Sequence, residues 1–457
     1  MSISLGKHDR HLTLDALTPF LEEVRRMTGS AADALLDDVG SISLRAIGVD
    51  ESMTVTDVQK VLIGTGFFPG GRADGICGYR TRAAIRLFQE YVRTVEGRSS
   101  LPDGIAGPKT CAELQRWVMD DGKANWSAAL IDWNQVRAAP SGGARQKDES
   151  AAPESPAGEN PFGENPAGEN SAVENSAREY PAREFTAREY TAWLQFLETV
   201  KRHYQSSPSA MHRQVDSFDD ETDTRRVDDW MFSPDDIHLI GVRHDQRDKA
   251  RVFDDVLVLL IRGLVFVFQG STDPGHSSNP AGAPFLVHGQ HDFRFGQHRG
   301  SYHALRPQHF DRHGVLVVRS KDDYVLDASD VDAGLEVNGT INIHWGGKGV
   351  HRQVKRWSEG CQVIAGSGYR NHTGSVIDCS GYVGINNTEV KDSRGRRTRG
   401  AYTVLSDLIV AMSTDIARAG NIKYMLLNSA DLALDPTISE RLLADRLAGL
   451  ALMKKLS

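Results

Sequence analysis

The 457-residue sequence lacks any uncharged apolar run of membrane-spanning length, and its first thirty residues lack the apolar core and small-residue cleavage site of a secretory signal. A protein made soluble, with no membrane insertion, is the expectation. A basic excess is also missing: 53 Lys and Arg stand against 61 Asp and Glu, a net charge of −8. This excludes the strongly cationic surface that nucleic acid requires. The four cysteines, Cys77, Cys111, Cys361 and Cys379, are too few and too scattered for a disulfide scaffold or a paired zinc knuckle. What remains open is whether one of them is reactive.

The length exceeds one ordinary core, so several domains are expected. Apolar residues at helical spacing (Leu14, Leu17, Phe20, Leu21, Val24, Met27) predict a helical leader within residues 1–50. Most of the negative charge sits in residues 148–190, where one Asp and nine Glu face three Arg. Within that stretch Glu154, Glu159, Glu164, Glu169, Glu174, Glu179, Glu184 and Glu189 recur every five residues. A period of five matches neither helix nor strand, so residues 121–190 read as an extended, charged linker whose late ARE units turn helical near Tyr190.

Residues 51–120 contain an internal repeat, in which Asp74-Gly75-Ile76-Cys77-Gly78 returns as Asp103-Gly104-Ile105-Ala106-Gly107. Each copy is a Gly turn leading into a helix, with a Thr placed to cap it. Apolar stripes at Val58, Val61, Leu62 and at Ala84, Ile85, Leu87, Phe88, Tyr91 predict three short helices around one core. With its two DGIxG turns and its Arg86-Leu87-Phe88-Gln89 helix, this stretch resembles the peptidoglycan-binding domain found beside wall hydrolases. That resemblance implies a glycan or stem-peptide groove involving Phe67, Phe68, Asp74 and Arg80. The plainer alternative is that the turns only cap helices.

Residues 191–457 show strand-like runs at 255–268, 314–319, 340–345 and 361–365 and amphipathic patterns at 401–418 and 437–455. His344 ends an alternating strand, and seventeen residues later Ser358-Glu359-Gly360-Cys361 opens another run. A loop of this size can bring the cysteine against the histidine. An imidazole can then take the thiol proton, and Gly360 can let main-chain N–H groups face a developing oxyanion. His, spacer and Ser-x-Gly-Cys, with the upstream turn Gly270-Ser271-Thr272-Asp273-Pro274-Gly275, is similar to the signature of YkuD-type L,D-transpeptidases. The resemblance implies Cys361 as acyl-accepting nucleophile, His344 as general base, and Ser358 and Gly360 as residues that shape the site. His344-Trp345 and Cys361-Gln362-Val363 depart from the family's His-Gly and its Arg or Asn two after the cysteine. Substrate contacts are therefore assigned to Trp345, Tyr302, Arg306 and Arg319.

The fold class expected is α+β and multidomain: a small three-helix peptidoglycan-binding module plus a β-rich L,D-transpeptidase-like domain with peripheral helices. The function expected is cysteine-dependent acyl transfer or hydrolysis at peptidoglycan stem peptides, with peptidoglycan as partner and no cofactor or metal. A secretion machine or phage lysis would carry the protein to the wall. Two alternatives stand beside this: a non-catalytic wall-binding protein, and a zinc peptidase using His288, His291 and His298.

Overall fold

A computed structural model describes residues 53–119, 182–244, 252–275, 277, 279–298, 302–309, 313–321, 325–347, 354, 358–382, 399–413 and 421–445. The leader expected at 11–38 and the linker up to residue 181 lie outside them. Among the described residues the fold mixes helices with a β-rich region.

Three helices come first: α1 (Val55–Gly64), α2 (Tyr79–Thr94) and α3 (Pro108–Met119). Gly75 and Gly104 adopt φ of +78° and +74°, conformations that a side chain would strain. A buried glutamine locks each of these turns. Gln59 Nε2 donates to Asp74 Oδ1, the Ile76 carbonyl and Thr81 Oγ1, and its Oε1 accepts from the Gly75 N–H. Gln89 repeats the pattern with Asp103, Ile105, Thr110 and Gly104. The repeat is thus a pair of helix-to-turn locks, each with its buried amide satisfied.

Eight strands close into a barrel in the order β10, β3, β2, β1, β12, β5, β6, β9 and back to β10. They are β1 (Ile237–Arg243), β2 (Asp255–Ile261), β3 (Leu264–Ser271), β5 (Gly289–His298), β6 (Tyr302–Pro307), β9 (Ile343–Trp345), β10 (Gln362–Arg370) and β12 (Ile422–Asn428). The pairs β1·β12 and β9·β10 are parallel and the others antiparallel. β11 (Val376–Asp378) pairs with the far end of β10. A second sheet joins β4 (Ala283–Leu286), β7 (Val315–Ser320) and β8 (Glu336–Asn338). The run at 255–268 is two strands, because Arg262 and Gly263 at φ +50° and +81° form a two-residue hairpin turn between them.

Alternation sorts the side chains between two faces. Leu239, Leu257, Leu259, Phe266, Phe268, Phe293, Phe295, Ile343 and Tyr424 fill the interior, where Tyr424 Oη reaches across to Gln362 Oε1 at 3.1 Å. On the outside, Ile240, Val258, Val267 and Met425 pack under Tyr190, Trp193, Phe196 and Leu197 of α4 (Ala182–Ser206). Burial on both faces is why β2 and β3 read as unbroken apolar runs. The last Glu of the five-residue repeat, read as part of a solvated linker, belongs instead to this fold. Glu189 is 4 % exposed and ion-paired with Arg370 and Arg441.

The core of the helices is continuous with that of the barrel. After the short helices α5 (Ala210–Asp216) and α6 (Ala328–Asp332), α7 (Ala401–Met412) is buried along its whole length and joins α2 to the barrel in one apolar cluster. Polar contacts reinforce the junction: Arg86 pairs with Asp407 through two bonds of 2.7 and 2.8 Å, and Tyr369 Oη donates to Glu90 at 3.0 Å.

Burial holds several histidines neutral. His212, His291 and His372 fall from 6.5 to about 4 and His303 to about 3, chiefly by desolvation. The unfolded chain binds protons at these positions where the fold does not, so their contribution is full above about pH 6.5 and is lost as pH falls toward 4. Burial raises the carboxyls of Asp255 and Asp431, which pull the other way. Chemical denaturation at pH 7.5, 6 and 5 should show a net fall in unfolding free energy. A flat or rising profile would contradict the neutral, buried placement of these imidazoles.

Candidate active site

The loop before β10 is fixed first by its own turn. Ser358 Oγ accepts from the Gly360 N–H at 3.0 Å and donates to the Cys361 carbonyl at 2.6 Å. The Gly360 N–H is thus taken up within the turn by Ser358. Gly360 itself, at φ +131°, has no room for a Cβ, which would lie 2.6 Å from Pro284 Cγ and 2.7 Å from the Pro284 carbonyl. Gly360→Ala is expected to destabilise the fold by roughly 2 kcal/mol or more, combining an unfavourable φ with a clash. Thermal unfolding checks this. An unchanged melting temperature would show that the turn is not held against β4.

The upstream Gly270–Gly275 turn holds the same loop from the other side. The Gly275 N–H donates to the Ser358 carbonyl at 3.0 Å, and Ser271 pairs with Val363 of β10. Asp255 accepts from the Thr272 N–H and hydroxyl at 2.6 and 2.8 Å, while Arg243 donates to the Thr272 carbonyl at 2.8 Å and pairs with Asp273 at 3.1 Å. Sequence reading singled out the turn but neither Arg243 nor Asp255, whose roles depend on strands distant in the chain.

Parallel pairing of β9 with β10 sets His344 opposite Val363, so Cys361, two residues earlier, lies on the same outer face as His344. The thiol is half-buried. The Asn342 N–H points at Sγ at 3.4 Å, an arrangement that favours the thiolate. Nδ1 of the buried His344 lies 2.9 Å from the Trp345 carbonyl and 3.1 Å from Tyr302 Oη. A carbonyl only accepts, so the proton belongs on Nδ1 and the basic lone pair on Nε2. His298 stacks on His344 with centroids 4.3 Å apart, and its Nδ1 meets Asn342 Nδ2 at 3.2 Å.

The same face continues onto β6 and β5. Leu305 pairs with Ile343, which places Arg306 beside Asn342, and Arg306 pairs in turn with Arg294. One row across four strands therefore reads Arg294, Arg306, Asn342, Cys361. Burial and the neighbouring Arg294 lower the pKa of Arg306, and the Cys361 thiolate opposes them. Arg399 stacks over Tyr302 at 4.0 Å and over Trp345 at 4.3 Å, adding a third guanidinium at the edge.

Tyr302 and Arg306 thus join Cys361 and His344, while the other assigned contacts fall elsewhere. Trp345 is 2 % exposed in the barrel core. Arg319 is held by Glu336 at 2.7 Å and the Gly282 carbonyl at 2.9 Å. Phe67 and Phe68 are fully buried, Phe67 packing edge-on against Phe88, Tyr91 and Trp117. Arg80 is buried and donates to the Val410 and Ser413 carbonyls beside α7, and the exposed Asp74 accepts from Gln59. A groove built on these four residues is not what the helices present: three of the four are core or docking groups.

The histidines of 288–313 separate rather than converge. His291 sits between Thr224 Oγ1 and the Val287 carbonyl, His303 packs on Tyr79 and Phe295, and His309 bonds Asp223 at 2.8 Å. Among the described residues no group of three or more His, Cys, Asp or Glu is arranged to hold a metal ion. His298, first assigned to that rival site, belongs to the cysteine face. It and Arg294 were legible as the polar positions of the alternating run His291–His298, the signal that could have found them. Compared with known proteins, the chain matches no family model, no curated protein and no solved structure.

Proposed function

We propose that the protein is a cysteine acyltransferase or hydrolase acting on peptidoglycan stem peptides. The observation that carries this reading is Cys361 set beside an N–H donor, on one face with a His344 whose tautomer leaves Nε2 as base. In this mechanism the Cys361 thiolate attacks a stem-peptide carbonyl. A C–S bond forms, the C–N bond breaks, and the leaving amine takes the proton held by His344. An amine or water then resolves the thioester. The chemistry comes from the site geometry and the wall substrate from the two sequence resemblances.

α2 is buried against α7, and in this reading the exposed turn at Asp74 carries the wall contact. Mass spectrometry of muropeptides after incubation with the purified full chain tests the proposal. Loss of a terminal residue, cleavage or exchange would support it. An unchanged muropeptide profile from folded protein would count against it.

A further inference from the structure

His298 and His344 come from opposite sides of β6. The register sets His344 beside Ala304 and Ala304 beside Gly296, so this row of the outer face carries one methyl group between β9 and β5 and no larger side chain. Across that gap the His298 ring reaches over from the half-buried end of β5 and stacks on His344, with centroids 4.3 Å apart and planes 28° from parallel. Tyr302, the cross-strand partner of His298, flanks the stack at 5.3 Å.

Hydrogen bonds give the two rings different roles. An amide NH2 only donates, so the 3.2 Å contact with Asn342 Nδ2 makes His298 Nδ1 an acceptor and puts the His298 proton on Nε2. A second proton would go onto Nδ1, facing that donor, so this contact disfavours the charged ring. Along the same face stand Arg294 on β5, Tyr302 and Arg306 on β6, His344 on β9, Cys361 on β10 and Arg399 over the Tyr302 ring. The arginines among them oppose a further cation on His298. His344 instead gives its Nδ1 proton to the Trp345 carbonyl, which keeps Nε2 as the base and suits the imidazolium formed when the thiol proton arrives. That imidazolium then lies over a neutral aromatic face, which attracts a cation.

We infer that His298 is a positioning residue of the cysteine–histidine pair: its neutral ring, kept so by the Asn342 amide, is the face against which His344 holds the proton of Cys361. The inference rests on Cys361 and His344 as the reactive pair of the proposed function.

Alkylation of the full-length chain by iodoacetamide, read at Cys361 by digestion and mass spectrometry across a range of pH, tests this without any wall substrate. His298→Gln keeps an acceptor for Asn342 and removes the ring. Its rate at about pH 6 should fall tenfold or more, with the midpoint for thiolate formation moved up by about one unit, while the rate at about pH 10, where any exposed thiol is ionised, stays at the parent value. His298→Phe keeps the ring and removes the acceptor, and should follow the parent profile closely. Thermal unfolding shows which variants are folded, and each decides alone. An unchanged profile or an equal loss at every pH in folded His298→Gln, or a tenfold loss at about pH 6 in folded His298→Phe, overturns the inference. Parent profiles in both variants, with muropeptides processed, sink the role of His298 and leave the wall reading standing. The expected profiles with no muropeptide processed keep that role and sink the wall reading.

Discussion

Cys361→Ala is expected to lower turnover by on the order of 10³-fold or more, because no neighbouring group can form the thioester in its place. The fold should survive. The thiol is half-exposed, its sulfur meets the Asn342 N–H and the Thr340 carbonyl, and the Ser358 turn runs through the Cys361 backbone rather than its sulfur. His344→Ala should cost roughly 10²–10⁴-fold for loss of the general base. Kinetics on muropeptides, with circular dichroism as the folding control, separate the two effects. Full activity in a folded Cys361→Ala variant would remove the cysteine mechanism altogether.

The largest stability effect is expected where the helices meet the barrel. Arg86 and Asp407 are both 0 % exposed in their side chains, and Tyr382 Oη donates to the same carboxylate at 2.5 Å. Removing one partner strands the other charge in a medium that solvates it poorly, so Arg86→Ala should destabilise the protein by about 3–5 kcal/mol. An apolar replacement of both, Arg86→Met with Asp407→Leu, should recover much of that loss, because an intact buried pair contributes little net stability. Urea denaturation of the full chain measures both. If Arg86→Ala unfolds at the parent midpoint, the helices are not docked as described.

How far the sequence could be read depended on whether a signal was local. The DGIxG turns placed their helices because glycine at positive φ is a property of single residues, as Gly75 and Gly104 show. The strand at Ile343–Trp345 and the strand opening at Gln362 were legible from alternation and β-branched residues. Closure of the barrel was not, since it depends on a parallel pairing of β9 with β10 and on β12 inserting between β1 and β5. The buried role of Phe67, Phe68 and Arg80 was hidden for the same reason. An aromatic pair beside a turn suits a groove or a core equally well: Phe67 packs on Phe88, Tyr91 and Trp117, and Arg80 bonds carbonyls at and beyond α7, more than 300 residues away. At the site, Cys361, His344 and Ser358 lie close in sequence and carry a recognisable spacing, whereas Arg294 and His298 reach the same face only through strand order. Glu189 shows the converse error: a periodic pattern read as a solvated linker includes a residue of the folded body.

The central claim is that Cys361 accepts an acyl group from a stem peptide. Intact-protein mass spectrometry after brief incubation with a purified stem tetrapeptide, followed by acid quench, reads it directly. The account predicts a mass increase equal to the peptide less its leaving residue, mapped to Cys361 by digestion and absent from Cys361→Ala. An unmodified Cys361 under conditions where the muropeptides are nevertheless processed, or an adduct on any other residue, would contradict it.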